Sequence, residues 1–149
     1  MTINDIKHAK IKAWVEEVVK MCQPDDVYVC DGTAAEYDRL MNKMVEAGLA
    51  TPLAKKPHSH LFRSLPSDVA RVEGRTYIAS VKQEDAGPTN NWIDPKELKA
   101  TMTGLYTGCM KGRTMYVIPF CMGPVGSPIS KNGIELTDSE YVVCNMHIM

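Results

Sequence analysis

The chain has 149 residues with 17 basic and 18 acidic side chains, so its formal net charge is only −1. This balance excludes bulk electrostatic attraction to nucleic acid or to an anionic membrane, and we expect neither as a partner. No apolar stretch approaches the roughly 18 residues that a membrane-spanning helix needs. Five cysteines without short spacing favour free thiols in a reducing compartment, the cytoplasm.

The first third of the chain alternates between helical and strand patterns. Apolar residues recur every three to five positions from Ile6 to Cys22, which predicts an amphipathic helix that ends before Pro24. Val27–Cys30 predicts a short buried strand. Thr33-Ala-Ala-Glu36 has the pattern of a capping box, so a second helix is expected to start there and to stop near Gly48.

The middle of the chain is more polar. Residues 50–66 predict an exposed connector, in which His58 and His60 lie two positions apart. Two such histidines share a face of an extended segment, but without a third ligand nearby we expect no metal site there. Thr76–Val81 predicts a strand, and residues 82–91 predict a loop.

A third helix is predicted to begin at Asp94-Pro95, because an N-cap carboxylate is followed by proline in the first turn. Gly108 is expected to lie at its C-terminal cap. The buried stripe of this helix is predicted to contain Leu98, Met102 and Leu105.

Thr114–Phe120 is apolar at every second position on both faces, which predicts a strand buried on both sides. Pro119 has no N–H group, so pairing is expected to end there or the strand to lie at an edge. Gly123–Pro128 alternates rigid and permissive residues and predicts a shaped loop. It lacks the Gly-Lys-Ser/Thr ending of a phosphate-binding loop, so a structural role is favoured, and lining a substrate cleft stays open as the alternative.

The last segment predicts a short strand at Ile134–Leu136 and a helix from Tyr141 to Met149, inside which the chain stops. Taken together, these elements predict one α/β domain over residues 1–149. Its mixed sheet is expected to contain Tyr77–Val81 and Thr114–Phe120 and to be flanked by helices.

Three cationic side chains are candidates for binding an anion. Arg71 precedes a predicted strand, where an arginine either forms a surface ion pair or grips a carboxylate with its planar fork. Lys111 and Arg113 flank Gly112 just before the central strand. They either offset a helix dipole or form an anion pocket, and the residues alone leave both interpretations open.

Several motifs resemble the amino-terminal domain of GTP-dependent phosphoenolpyruvate carboxykinase. The strongest run from Cys109 onward, namely CMKGRTMYVIPF, MGPVGSP and GIELTDSEYVV. Weaker ones are Cys30-Asp31-Gly32, Asp68-Val-Ala-Arg-Val-Glu73 and Asn91-Trp92. The resemblance implies that Arg71 contacts the carboxylate of oxaloacetate or phosphoenolpyruvate, whereas Arg75 is expected to be solvated.

The family converts oxaloacetate and GTP to phosphoenolpyruvate, carbon dioxide and GDP, or the reverse, using Mn²⁺ and Mg²⁺. The sequence contains no phosphate loop, no metal cluster and no aromatic clamp for guanine, so we expect no catalytic, metal or nucleotide residues in this chain. The resemblance therefore implies an N-terminal fragment of a cytoplasmic carboxy-lyase, inactive alone. We also expect the fragment to self-associate through apolar side chains of its last segment that are partly uncovered, namely Tyr141, Val142, Val143, Met146, Ile148 and Met149.

An alternative from another functional class stays open. The chain could be a free-standing, non-catalytic relative that binds anions or another protein.

Overall fold

The computed structural model describes residues 1–63 and 72–148. The chain divides into two compact units, one formed by Met1–Arg63 with Gly108–Met149, the other by Ser64–Thr107. The expectation of one domain stays a prediction, and each unit is described by itself. Among the described residues, no helix combines the length and apolarity that crossing a membrane requires.

The described residues form four helices and seven strands. In chain order they are α1 (Ala9–Cys22), β1 (Asp26–Val29), α2 (Ala34–Glu46), β2 (Ala50–Pro52), β3 (His60–Phe62), β4 (Tyr77–Ala79), β5 (Asn91–Ile93), α3 (Pro95–Tyr106), β6 (Thr114–Met122), β7 (Lys131–Thr137) and α4 (Glu140–Met146). A mixed α/β fold, as predicted, is therefore confirmed.

The first unit is built on a three-stranded mixed sheet with β6 in the centre. β1 runs parallel to β6, with Val29 opposite Val117, and β7 runs antiparallel to it, with Leu136 opposite Val117. Successive side chains in the buried centre of β6 contact opposite layers of the unit. Val117 packs with Val15 of α1 on one face, whereas Tyr116 and Ile118 pack with α2 and α4 on the other. The predicted burial on both sides is confirmed.

Of the two expectations for Pro119, the end of pairing is wrong, because Pro119 lies opposite Ile134 and β6 continues to Met122. The alternative of an edge holds on one side, because β1 pairs with β6 only as far as Val117. The carbonyl of Val117 accepts a hydrogen bond from the Cys30 N–H, so the backbone polar groups of Val117 face β1. Pro119, two residues later, faces the same side. Because β1 ends at Val29, no ladder donor is needed there, and the proline is tolerated.

Thr33 caps the start of α2 as predicted, but the Glu36 carboxylate has other partners than a capping box gives it. The Thr33 hydroxyl accepts from the Glu36 N–H at 3.2 Å. The Glu36 carboxylate, however, reaches past Thr33 to the N–H groups of Asp31 and Gly32. The Thr33 N–H instead donates to the Asp31 carboxylate at 2.9 Å. The capping box thus extends two residues beyond the N-cap Thr33, to Asp31.

The predicted connector contains regular structure that the sequence did not reveal. β2 and β3 pair antiparallel, with Ala50 opposite Phe62 and Pro52 opposite His60. Each strand has three residues, too short for an alternating apolar pattern to be recognised.

The last helix is shorter than expected. The N-terminal cap of α4 is Ser139, whose hydroxyl accepts from the Val142 N–H at 3.4 Å. The helix ends at Met146, and the Ile148 N–H donates to the Asn145 carbonyl in a tighter turn. The prediction that the chain stops inside this helix is therefore wrong.

In the second unit, β4 and β5 form a separate parallel pair, with Ile78 opposite Trp92. The strand predicted at Tyr77–Val81 hence does not lie in the sheet of β6, and that part of the prediction is wrong. The Asp94 carboxylate caps α3 as expected, accepting from Lys96 at 2.8 Å. Leu98 and Met102 are half-buried, but Leu105 is 67% exposed, so the predicted stripe is incomplete.

Candidate functional site

A cavity of about 390 Å³ lies at the carboxyl ends of the parallel strands β1 and β6. It exists because β1 ends at Val29, opposite Val117, whereas β6 continues for five more residues to Met122 with its β1 side unpaired. Open α/β sheets commonly bind ligands at this kind of position. The side chains and backbone that line it include Asp31, Gly32, Glu36, Pro119, Phe120 and His147.

Glu36 is the buried charge of this cavity, with 3% of the residue exposed. Its carboxylate accepts hydrogen bonds from the Asp31 N–H at 2.8 Å and the Gly32 N–H at 3.2 Å. His147 Nε2, at the end of α4, lies 3.2 Å from the same carboxylate. No lysine or arginine lines the cavity among the described residues. The N-terminal ammonium of Met1 also lines the cavity and donates to the Val29 carbonyl at 3.1 Å.

A second polar cluster crosses the core between α2, β6 and α4. The Tyr116 hydroxyl donates to Glu140 Oε1 at 2.9 Å, and Lys43 Nζ lies 2.6 Å from the same oxygen. Burial alone would raise the pKa of Glu140, but hydrogen bonds from Lys43, the backbone and Tyr116 outweigh it and lower that pKa. Burial raises the pKa of the Tyr116 hydroxyl. The cluster links α2, β6 and α4 through these side chains, so its role is to stabilise the fold.

The candidate cations Lys111 and Arg113 lie at the opposite, amino-terminal end of β6. Arg113 Nη1 forms an ion pair with Asp138 Oδ2 at 2.8 Å, and Nη2 donates to the carbonyl of Cys109. Asp25 joins this turn, since its carboxylate accepts from the Gly112 N–H at 2.9 Å. Arg113 therefore has partners within the fold, while Lys111 is exposed. That the two form an anion pocket stays a prediction.

Arg71, the predicted substrate contact, lies outside the described residues. The turn at Glu73–Arg75 is held in place by the side chain of Asn91, a role that the sequence did not indicate. The Asn91 amide donates to the carbonyls of Glu73 at 2.9 Å and Thr76 at 3.1 Å. It thereby fixes the turn Glu73–Arg75 against β5 within the second unit.

His58 and His60 line a small hollow of about 190 Å³ that also includes Phe62 and Tyr141. Within residues 1–63 and 72–148, no three histidine, cysteine, aspartate or glutamate side chains gather in a way that could hold a metal ion. The described residues thus do not fit a metal of their own.

Comparisons with known proteins address the whole chain. Residues 13–149 match the family described as phosphoenolpyruvate carboxykinase N-terminal domain. A protein named phosphoenolpyruvate carboxykinase (GTP) from Treponema pallidum is 72% identical over 149 residues, which cover 100% of this chain and 24% of that protein. Proteins of the same name from Chlamydia trachomatis and Neocallimastix frontalis are 53% and 54% identical, each over 99% of this chain and 25% of their own length.

The chain spans about a quarter of the length of these curated relatives. The match covers the motifs on which the resemblance rests, including both flanks of β6. The chain belongs to the family of the phosphoenolpyruvate carboxykinase N-terminal domain.

Proposed function

We propose that this chain is the N-terminal, substrate-binding part of a GTP-dependent phosphoenolpyruvate carboxykinase. The complete enzyme would interconvert oxaloacetate plus GTP with phosphoenolpyruvate, carbon dioxide and GDP, in the cytoplasm. The observation that carries the proposal is the 72% identity, over the full length of this chain, to a relative named for that activity.

The chemistry assigns a limited role to this chain. Loss of carbon dioxide from oxaloacetate leaves an enolate, and the enolate oxygen then takes the γ-phosphoryl group of GTP. Arg71 would hold a substrate carboxylate with two parallel N–H donors, which fixes the orientation of the carbon that reacts. The nucleotide phosphates need further donors and metal charge, which this proposal places in the remaining part of the enzyme.

Manganese and magnesium ions with GTP are the cofactors that the proposal implies, where they supply positive charge to the enolate oxygen and the phosphates. Because the described residues gather no metal-ligand group, no step is assigned to a metal held by them. The role of this chain is to bind and orient the substrate.

A chimera tests the proposal. The matching 149 residues of the Treponema pallidum relative are replaced by this chain, and formation of phosphoenolpyruvate from oxaloacetate is measured with GTP and both metal ions. We expect the chimera to retain activity within an order of magnitude of the relative, whereas this chain alone should form no product. A chimera that folds and binds GTP but forms no product would contradict the proposal, as would turnover by the chain alone.

A further inference from the structure

Cys22 and Cys109 are brought side by side by the backbone. Cys22 is the last residue of α1, and Cys109 lies in the turns that precede β6. The N–H groups on either side of Cys109 bind the end of α1, because Gly108 donates to the Met21 carbonyl at 2.8 Å and Met110 donates to the Cys22 carbonyl at 3.0 Å. Two successive hydrogen bonds of this kind keep the backbones of Cys22 and Cys109 adjacent, as a disulfide requires.

The two side chains also lie close to each other. Burial raises the pKa of the Cys22 thiol to about 11, and a hydrogen bond to Cys109 contributes in the same direction. The Cys109 thiol is therefore one of the groups that surround the Cys22 sulfur. Cys22 is 3% exposed, whereas Cys109 is half-buried and within reach of a small reagent.

The other three cysteines differ from this pair. Cys30 and Cys144 are buried in the apolar cluster between the sheet and α2. Burial raises the pKa of Cys30 to about 12 and of Cys144 to about 11, and no thiol is among the groups that shift either pKa. Cys121 is half-buried, and its sulfur lies 3.6 Å from the Gly123 carbonyl.

We propose that Cys22 and Cys109 form a reversible disulfide when the protein meets a low-molecular-weight disulfide, such as oxidised glutathione. The Cys109 thiolate attacks the reagent, forms a mixed disulfide and releases one thiolate. Cys22 then loses its proton and attacks the Cys109 sulfur, which expels the second small thiol. Two protein thiols are oxidised, one small disulfide is reduced to two thiols, and no other reactant is needed.

The bridge would join the end of α1 to the turns that lead into the central strand. These turns already carry the Arg113–Asp138 ion pair and the contacts of Asp25. The bond would close a long covalent loop that contains α2, the hairpin of β2 and β3, and the whole second unit. Such a loop restricts the unfolded chain, so the oxidised protein should unfold at a higher temperature than the reduced one.

Peptide mapping of the native chain tests the proposal directly. After equilibration with oxidised and reduced glutathione, the folded protein should retain three titratable thiols of its five. Its intact mass should fall by two hydrogen atoms, and one linked peptide should join Cys22 to Cys109. Excess reduced glutathione should restore all the thiols and lower the melting temperature again.

Three single variants provide the controls. Cys22→Ser and Cys109→Ser should each abolish the linked peptide, and Cys22→Ser should instead hold a stable glutathione adduct on Cys109. Cys121→Ser should leave the linked peptide unchanged. A native chain that keeps five thiols, that links other cysteines, or that stops at a Cys109 adduct would overturn the proposal, and none of these outcomes depends on the variants folding.

Discussion

At the scale of single residues, Glu36 is a charged side chain held almost fully out of solvent. Its carboxylate compensates for burial with two backbone N–H donors and with His147, which lies 111 positions away in sequence. A buried carboxylate is tolerated only with such partners, since an unpaired one would cost several kcal/mol. The residue thus ties the end of β1, the start of α2 and the end of α4 together.

Glu36→Gln tests that tie. Glutamine keeps the shape of the side chain but replaces one carboxylate oxygen with an NH₂ group. That group is a donor and would face the N–H of Asp31 or Gly32, which is also a donor. We expect the free energy of unfolding to fall by about 1–3 kcal/mol, measured by urea denaturation. Glu46→Gln in the exposed last turn of α2 is the matched control and should change it by less than about 0.5 kcal/mol. Equal effects of the two substitutions would show that Glu36 is not the tie inferred here.

Glu140 gives a prediction that depends on pH. The pKa of Glu140 is lowered from its ordinary 4.5 in the folded protein, so folding favours the ionised form. Its contribution should be fully present above the unfolded-state pKa and disappear as pH falls through the lowered folded-state value. Since Lys43 is half exposed, the contribution should be only about 1 kcal/mol.

The measurement is the stability difference between the wild-type chain and Glu140→Gln at a series of pH values. The difference should be constant from pH 7 down to about pH 5 and shrink at lower pH. A difference that grows on acidification would contradict the sign of the pKa shift.

At the scale of elements, the hairpin of β6 and β7 has a close contact at Gly133. This glycine lies opposite Phe120, and a methyl group added to it would lie 2.5 Å from Phe120 Cζ. Gly133→Ala should therefore displace the ring and lower the free energy of unfolding by about 1–3 kcal/mol. Asn132→Ala, next to it and exposed, is the control and should have little effect.

A double variant separates the steric cause from backbone effects. In a chain that carries Phe120→Ala, the further change Gly133→Ala should cost clearly less than in the wild-type chain, because the ring is gone. Equal costs in the two backgrounds would refute the contact as the cause.

The elements also show which parts of the fold the sequence could predict. β6 was predictable because its apolar side chains fill both faces, and α1, α2 and α3 were predictable from periodicity and caps. The hairpin of β2 and β3 was not predictable, because strands of only three residues are too short to show an alternating pattern. The sheet partner of β4 could not be predicted either, since pairing depends on residues distant in sequence.

In the candidate site, too, local features could be predicted from the sequence and tertiary ones could not. Arg71 was predicted as a substrate contact from a local motif, which needs no tertiary structure, and that role stays a prediction. The cavity of Glu36 and His147 could not be found that way, because it forms only where the ends of β1, β6 and α4 meet. Arg113 was predicted as a candidate anion-binding residue, but its ion pair with Asp138 could not be predicted. That ion pair depends on the pairing of β6 with β7.

At the scale of the whole molecule, exposed apolar side chains support the predicted self-association. Tyr141 is 48% exposed and Ile148 is 79% exposed, although Val143, predicted to be uncovered, is buried. We expect the mean mass from light scattering to rise with concentration, and Ile148→Lys to reduce that rise. A monomer at every concentration would contradict the prediction.

The central claim is that this chain contributes the contact to the substrate carboxylate and not the site for the nucleotide. Steady-state kinetics of Arg71 variants in the chimera test it most directly, with GTP binding measured separately. Arg71→Ala should reduce kcat/KM for oxaloacetate by the equivalent of about 2–4 kcal/mol, and Arg71→Lys by less, because lysine keeps the charge but not the fork. Arg75→Ala is the matched control, and GTP affinity should be unchanged in all three. Near-normal kcat/KM for Arg71→Ala, or a loss of GTP binding instead, would contradict the account.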